Sequence, residues 1–246
     1  MSFRLFITFA LCVSFISSAA VVPLKVMTYN IHNGVGLDGA RDYKRIADLI
    51  NNEGPDIVAI QEIDSVTERS DHTFILDSIS KLTDMYASFS PAINYEGGSY
   101  GVGILSKVKP NSVVRLPLPG REEARTLLIA EFDDCYFCCT HFSLTDSDRR
   151  ASAIIINGLT EMTSKPVIIA GDFNSTPDDD TIKILESSYT VLNSKSSPTF
   201  PADNPAQTID YILISKNNDI NSDAIVINES VISDHRPVIV NISNFN

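Results

Sequence analysis

Val167-Ile168-Ile169-Ala170-Gly171-Asp172-Phe173-Asn174-Ser175-Thr176-Pro177 is a short apolar run that ends abruptly in a carboxylate and a carboxamide. Four consecutive apolar residues read as a buried strand, and Gly171 lets the backbone turn where a bulkier residue would be strained. Extended residues two apart share a face, so Asp172 and Asn174 can reach one small target together. The competing reading is a polar turn and nothing more, because Asx side chains bond nearby backbone groups. Pro177 closes the loop, and a short helix over Asp178–Leu185 follows.

The flanking segments repeat this pattern. Upstream, Cys135–Thr140 is a strand that runs into His141; a helix from about Ser147 to Met162, burying Ile154, Ile155 and Leu159, then leads to Val167. In the first half, Leu24–Asn30 is a strand, and Asp42 caps a helix over Tyr43–Asn52 that carries Ile46, Leu49 and Ile50 on one face and stops at Gly54-Pro55. Ile57–Ile60 is a second buried strand running directly into Gln61 and Glu62. Strand, helix, strand predicts a crossover with both strand ends on one edge of a sheet, which makes Asn30 and Glu62 neighbours. A carboxylate at such a tip is costly unless it is solvated, paired or metal-bound.

Elsewhere the periodicity predicts a helix over Thr73–Thr83 carrying Ile75, Leu76, Ile79 and Leu82, and short strands between Met85 and Phe132. Ahead of that helix His72 reads as a surface residue, and Arg69 is open to contact with an anion. Ser187–Asn204 is a polar, proline-punctuated connection, and Ile209–Ile214 is a strand with Asp210 near its start. The last strands, Ile225–Ile227 and Val238–Ile242, flank Ser233-Asp234-His235-Arg236-Pro237. No linker divides residues 21–246, which read as a single domain.

Residues 1–20 are different. A basic start at Arg4, an apolar run from Leu5 to Ile16 and the small residues Ser17-Ser18-Ala19-Ala20 have the order of a secretory signal, and the run is shorter than a membrane span needs. Cleavage after Ala20 is expected, with an uncleaved anchor as the alternative. The formal charge of the 246-residue chain is −12, which weighs against tight polyanion binding by broad charge neutralisation. Three cysteines survive processing, Cys135, Cys138 and Cys139, all in one strand. That crowding predicts buried free thiols rather than a disulfide framework.

At the strand ends stand Asn30, Glu62, His141, Asp172, Asn174, Asp210, Asp234 and His235. Carboxylates with a carboxamide suit a hard cation such as Mg2+ or Mn2+ better than zinc. Histidine adds a proton-exchanging group near neutral pH, and Asp210 is placed to orient His235 and favour its charged form.

Met27-Thr28-Tyr29-Asn30-Ile31, Gln61-Glu62-Ile63-Asp64, Gly101-Val102-Gly103-Ile104-Leu105-Ser106, Thr140-His141-Phe142, Gly171-Asp172-Phe173-Asn174, Ile209-Asp210-Tyr211 and Ser233-Asp234-His235-Arg236-Pro237 together resemble the endonuclease/exonuclease/phosphatase (deoxyribonuclease I-like) superfamily. The resemblance covers residues 24 to 242. It implies an α/β (α+β) fold, a four-layer sandwich of two mixed β-sheets packed face to face with helices on both outer faces. It also implies hydrolysis of a phosphate ester, dependent on Mg2+ or Mn2+, by activated-water attack at phosphorus. By that likeness Glu62 is the principal metal ligand, assisted by Asn30, with Asp234 completing the site. Asp172 and Asn174 orient or deprotonate the water and hold the phosphate. His235, supported by Asp210, binds the phosphate, and His141 acts from the opposite side or protonates the leaving oxygen. Arg125, in Glu123-Ala124-Arg125-Thr126, resembles an arginine near the phosphate in several members.

The superfamily's site serves many phosphoesters. The expected substrate is a phosphodiester, either nucleic acid or a phospholipid headgroup. Phosphomonoester hydrolysis, or a catalytically silent protein that binds phosphate ligands, is the alternative. After processing the chain is expected to be a secreted, periplasmic or extracellular monomer with no integral membrane segment.

Overall fold

The inner strands are apolar on both faces because both faces are covered. The computed structural model describes residues 23–216 and 220–243, so the signal-peptide reading of residues 1–20 lies outside the described residues. The first sheet contains β1 (Leu24–Asn30), β2 (Ile57–Ser65), β3 (Tyr86–Tyr95), β4 (Gly98–Ser106), β11 (Asn221–Val226) and β12 (Val238–Ser243), in the order β11-β12-β1-β2-β4-β3. The second contains β5 (Ser112–Leu118), β6 (Arg125–Glu131), β7 (Tyr136–His141), β8 (Val167–Asp172), β9 (Tyr189–Val191) and β10 (Asp210–Ser215), in the order β5-β6-β7-β8-β10-β9. β1 and β2 pair in parallel, as do β7 and β8; the remaining pairs are antiparallel, so both sheets are mixed. The crossovers are α1 (Tyr43–Glu53) and α3 (Asp146–Asn157), joined by α2 (Ile75–Thr83) and α4 (Asp180–Leu185).

Side-chain alternation along each strand sorts the core into three apolar layers. Val26, Ala59, Ile104, Leu128, Phe137, Ile168, Ile212 and Val240 pack between the sheets. Met27, Val58 and Ile60 face the other way onto Ile46, Ile50, Leu76 and Ile79 of α1 and α2. On the opposite outer face, Cys138, Ile169 and Leu213 pack with Ala153, Ile156, Ile182 and Leu185 of α3 and α4. Helix, sheet, sheet, helix is the expected four-layer sandwich. Among the described residues no helix is long and apolar enough to cross a membrane.

Several local expectations need correction. Ile154 and Ile155 are exposed, at 63% and 43%, and Leu159 is only half-buried; α3 instead buries Ser152, Ala153 and Ile156, and Asn157 is its last residue. In α2, Leu82 lies on the exposed side. The connection read as polar and proline-punctuated contains β9, which buries Tyr189 and sends its hydroxyl to the Ile156 carbonyl at 3.0 Å. Gly171 does not turn the chain. It lies within β8, where a Cβ would stand 2.1 Å from the Thr140 carbonyl oxygen, so the need is for space against β7. The turn comes at Asn174, whose φ is 46°.

Candidate active site

Four site residues share one strand parity. Asn30, His141, Asp172 and Asp210 lie an even number of residues from Val26, Phe137, Ile168 and Ile212, which fill the space between the sheets. Each therefore points into that space from the end of its strand. Pairing aligns three of them, since Asp172 is the register partner of His141 on β7 and of Asp210 on β10.

Glu62 has the wrong parity, because Val58 and Ile60 face the helices. A β-bulge corrects it. The β2–β4 register shifts between Ile60 and Ile63, and Glu62 takes φ of 62° inside the bulge. Gln61 keeps the inward position, within 3.4 Å of Cys139 Sγ, while Glu62 also turns to the site. There its Oε1 accepts a hydrogen bond from Asn30 Nδ2 at 3.0 Å.

Asn30 links the two sheets. Its Oδ1 accepts from the His32 backbone N–H at 3.1 Å, which leaves the amide nitrogen facing Glu62 and also Asp172 Oδ2, at 3.1 Å. Asp172 Oδ2 is then approached by His141 Nε2 at 3.4 Å and His235 Nε2 at 3.6 Å. His235 Nδ1 donates to Asp210 Oδ2 at 2.9 Å, the pairing expected from sequence. The Ser233 hydroxyl donates to the Asn30 carbonyl at 2.7 Å and so ties the Asp234-His235 loop to the end of β1. Asp234 is half-buried beside it.

Both readings of the Asp172–Asn174 stretch hold in part. Asp172 Oδ1 accepts from the Asn174 backbone N–H at 2.9 Å, an Asx turn, while its Oδ2 faces the site. Asn174 Nδ2 donates to the Phe142 carbonyl at 2.9 Å and so joins two loops of the site end. Behind them Phe142, Phe173 and Tyr211 stack edge to face.

The electrostatics divide the histidines. Burial pushes His141 down to about 4 against the pull of Asp172, with Arg125 and His235 adding to the fall, so it is a neutral imidazole at pH 7. Burial opposes the charge on His235 too, but Asp210, Asp172 and the hydrogen bond to Asp210 outweigh it and raise it to about 10. Burial raises Asp172, opposed by both histidines.

Phe200 and Glu122 were not singled out from sequence, whereas Arg69 and Arg125 were. The Phe200 ring lies 4.8 Å from that of His235. Arg69 is not free for an anion, since it makes two bonds to buried Asp64, at 2.7 and 2.8 Å, and lies over Tyr95 and Tyr100. Arg125 is buried, is ion-paired with Glu123, and lines a small cleft with Tyr100, Thr126 and His141. Glu122 fastens the loop after β7, accepting from Ser143 Oγ and Leu144 N at 2.6 Å and Thr145 Oγ1 at 2.8 Å. A proline-punctuated stretch and a run of charges gave no signal that separated Phe200 and Glu122 from ordinary surface.

The donors suit a hard divalent cation. Asp172 and Asp210 meet at His235, the cationic imidazole, Glu62 is joined to Asp172 through Asn30, Asp234 adds to the field on His235, and Asp210 Oδ1 is buried without a hydrogen-bond partner. Donor atoms of Asp172, Asp210 and His235 all lie within 4.8 Å of one another. The Asp210–His235 hydrogen bond already occupies two of those groups.

The Endonuclease/Exonuclease/phosphatase family profile matches residues 27–235. A search of curated proteins finds no match. Among solved structures, an endonuclease/exonuclease/phosphatase from Beutenbergia cavernae is similar at 20% identity and a TM-score of 0.74, over 90% of this chain and 72% of that one. A mannosyl-6-phosphatase from Bacteroides thetaiotaomicron is similar at 17% identity and 0.71, over 89% and 99%. A humanized D. rerio TDP2 is similar at 18% identity and 0.72, over 90% and 99%. These likenesses speak for the fold, and the profile spans every strand-end residue described above from Asn30 to His235. The chain belongs to the endonuclease/exonuclease/phosphatase family.

Proposed function

We propose that this protein is a secreted, Mg2+- or Mn2+-dependent phosphodiesterase of small phosphoesters or phospholipid headgroups. The observation that carries the reading is the convergence on Asp172 of Asn30, His141 and His235, with Glu62 and Asp210 one hydrogen bond further out. Small substrates are favoured over nucleic acid because several of the chain's arginines are paired internally. Arg69 is held by Asp64, Arg121 by Asp148, Arg125 by Glu123, and Arg149 by Asp146 and Asp179. Extended polyanions need unpaired cations along their path.

In such a hydrolase, catalysis is mostly positioning and charge stabilisation. Cationic His235, oriented by Asp210, donates to a phosphoryl oxygen and offsets developing charge. Asp172 accepts from and orients the attacking water. His141, neutral and on the adjacent strand, hydrogen-bonds the ester from the other side. Glu62 and Asp234 would hold the metal, with Asn30 fixing the Glu62 carboxylate; when bound, the ion supplies Lewis-acid stabilisation of the phosphoryl and leaving oxygens.

The test is a panel of bis-p-nitrophenyl phosphate, p-nitrophenyl phosphate, sphingomyelin, plasmid DNA and RNA, each with Mg2+, Mn2+, Ca2+ or chelator. Metal-dependent cleavage of the small diester or the lipid is expected. Full activity in chelator would overturn the metal role, and preferential cleavage of DNA the substrate class. Edman sequencing of the exported protein should begin at Val21.

A further inference from the structure

Glu122 and Glu123 are adjacent acids with different employment. Glu122 accepts from three donors on the loop after β7 and reaches Arg125 only at its edge, Oε1 standing 3.9 Å from Nη2. Glu123 is half-buried, and its carboxylate pairs with Arg125. The Arg125 guanidinium beneath it is only 6% exposed, lines the cleft with His141, and has a buried Nε with no hydrogen-bond partner. A buried guanidinium with a spare donor, beside a catalytic histidine, is built for an oxyanion. Glu123 occupies it.

We propose that Glu123 is a specificity residue: it sits on Arg125 as an internal stand-in for the phosphoryl group, and by competing with the incoming ester it favours singly charged phosphodiesters over doubly charged monoesters. The inference rests on the phosphoesterase reading and deepens it. Glu123 lies within electrostatic reach of Glu62, so once its carboxylate is displaced every additional negative charge on the ligand meets repulsion from both. A charge pair at about 5 Å and an effective dielectric of about 20 interacts strongly enough to change affinity by more than tenfold. The second charge of a monoester is therefore selected against, although the phosphate–arginine contact itself is strong.

The experiment compares wild type, Glu123→Gln, Glu123→Asp and the double variant Glu123→Gln/Arg125→Lys, each checked by thermal unfolding. It measures kcat/KM for bis-p-nitrophenyl phosphate and p-nitrophenyl phosphate, and inorganic phosphate binding by calorimetry with Mn2+ present. In Glu123→Gln the monoester should gain at least about tenfold relative to the diester, and phosphate should bind about tenfold tighter. Glu123→Asp, which keeps the charge on a shorter arm, should lie between, and the double variant should lose the gain because the fork is gone. An unchanged ester ratio together with unchanged phosphate affinity in Glu123→Gln and Glu123→Asp would overturn the proposal. If wild type cleaves neither ester, the phosphoesterase reading fails, while the phosphate titrations still report the contest between Glu123 and the ligand for Arg125.

Discussion

His141 and His235 approach the same oxygen of Asp172, yet burial leaves one neutral while a second carboxylate, Asp210, keeps the other charged. Their effects on stability have opposite signs. The folded value of His141, about 4, lies below its ordinary 6.5, so its contribution is present above pH 6.5 and lost as pH falls through 4. The folded value of His235, about 10, lies above 6.5, so its contribution is complete below pH 6.5 and lost as pH rises through 10. Metal-free protein should therefore melt highest near pH 6.5. His141→Gln should flatten the acid limb and Asp210→Asn the alkaline one; melting curves whose pH slopes match wild type in both variants would refute the charge assignment. Asp210→Asn should also lower turnover at least about a hundredfold, a loss typical of removing charge stabilisation from a transition state, with the fold intact by circular dichroism. The Asp210–His235 pair was legible in the sequence because a carboxylate at a strand start and a histidine before the final strand need only one packing to meet. The Phe200 ring on His235 was not, since its place depends on how an irregular connection folds back.

Among the elements, strands were easier to read than helix faces. A fully apolar run such as Val167–Ala170 has one solution, burial on both sides, whereas three consecutive isoleucines at 154–156 sweep about 200° of a helix and leave its phase open. Packing chose Ser152, Ala153 and Ile156, whose smaller members let α3 lie close to the sheet. Ile156→Ala should cost about 2–5 kcal/mol in denaturant unfolding, and Ile154→Ala less than about 0.5 kcal/mol; comparable losses would reverse the assigned face. The β2 bulge was also invisible, because the inserted residue shows only in pairing with β4. At the next site-end loop, Glu122→Ala removes the acceptor for three donors. It should speed hydrogen exchange at the Leu144 amide selectively while leaving the β8 core amides unchanged. Uniform acceleration across both would mean that Glu122 supports the whole fold rather than its loop.

At the scale of the molecule, two sheets that each serve their own helices are joined at one end by a polar bridge, Glu62 to Asn30 to Asp172. Strand parity and one bulge gather three carboxylates there, Asp172, Asp210 and Glu62, with Asp234 on the loop before β12, within a chain that already carries a formal charge of −12. That arrangement opposes folding unless a cation answers it, because like charges in a partly buried site repel strongly. Glu62 bears a second cost, its left-handed backbone. The active site should therefore be a weak point of the free protein and a strong one of the metal-bound protein. Mn2+ or Mg2+ at a hundred times its dissociation constant should stabilise wild type by about 2.7 kcal/mol through linkage. Glu62→Gln keeps the acceptor for Asn30 but removes one charge, so without metal it should melt at or above wild type, and the metal-induced rise should largely vanish. Glu62→Gly, which also relieves the backbone, should melt higher still while losing turnover. An intact metal-induced rise in both variants, read by differential scanning calorimetry against chelator, would move the ion away from Glu62 and toward the Asp172–Asp210 side of the bridge.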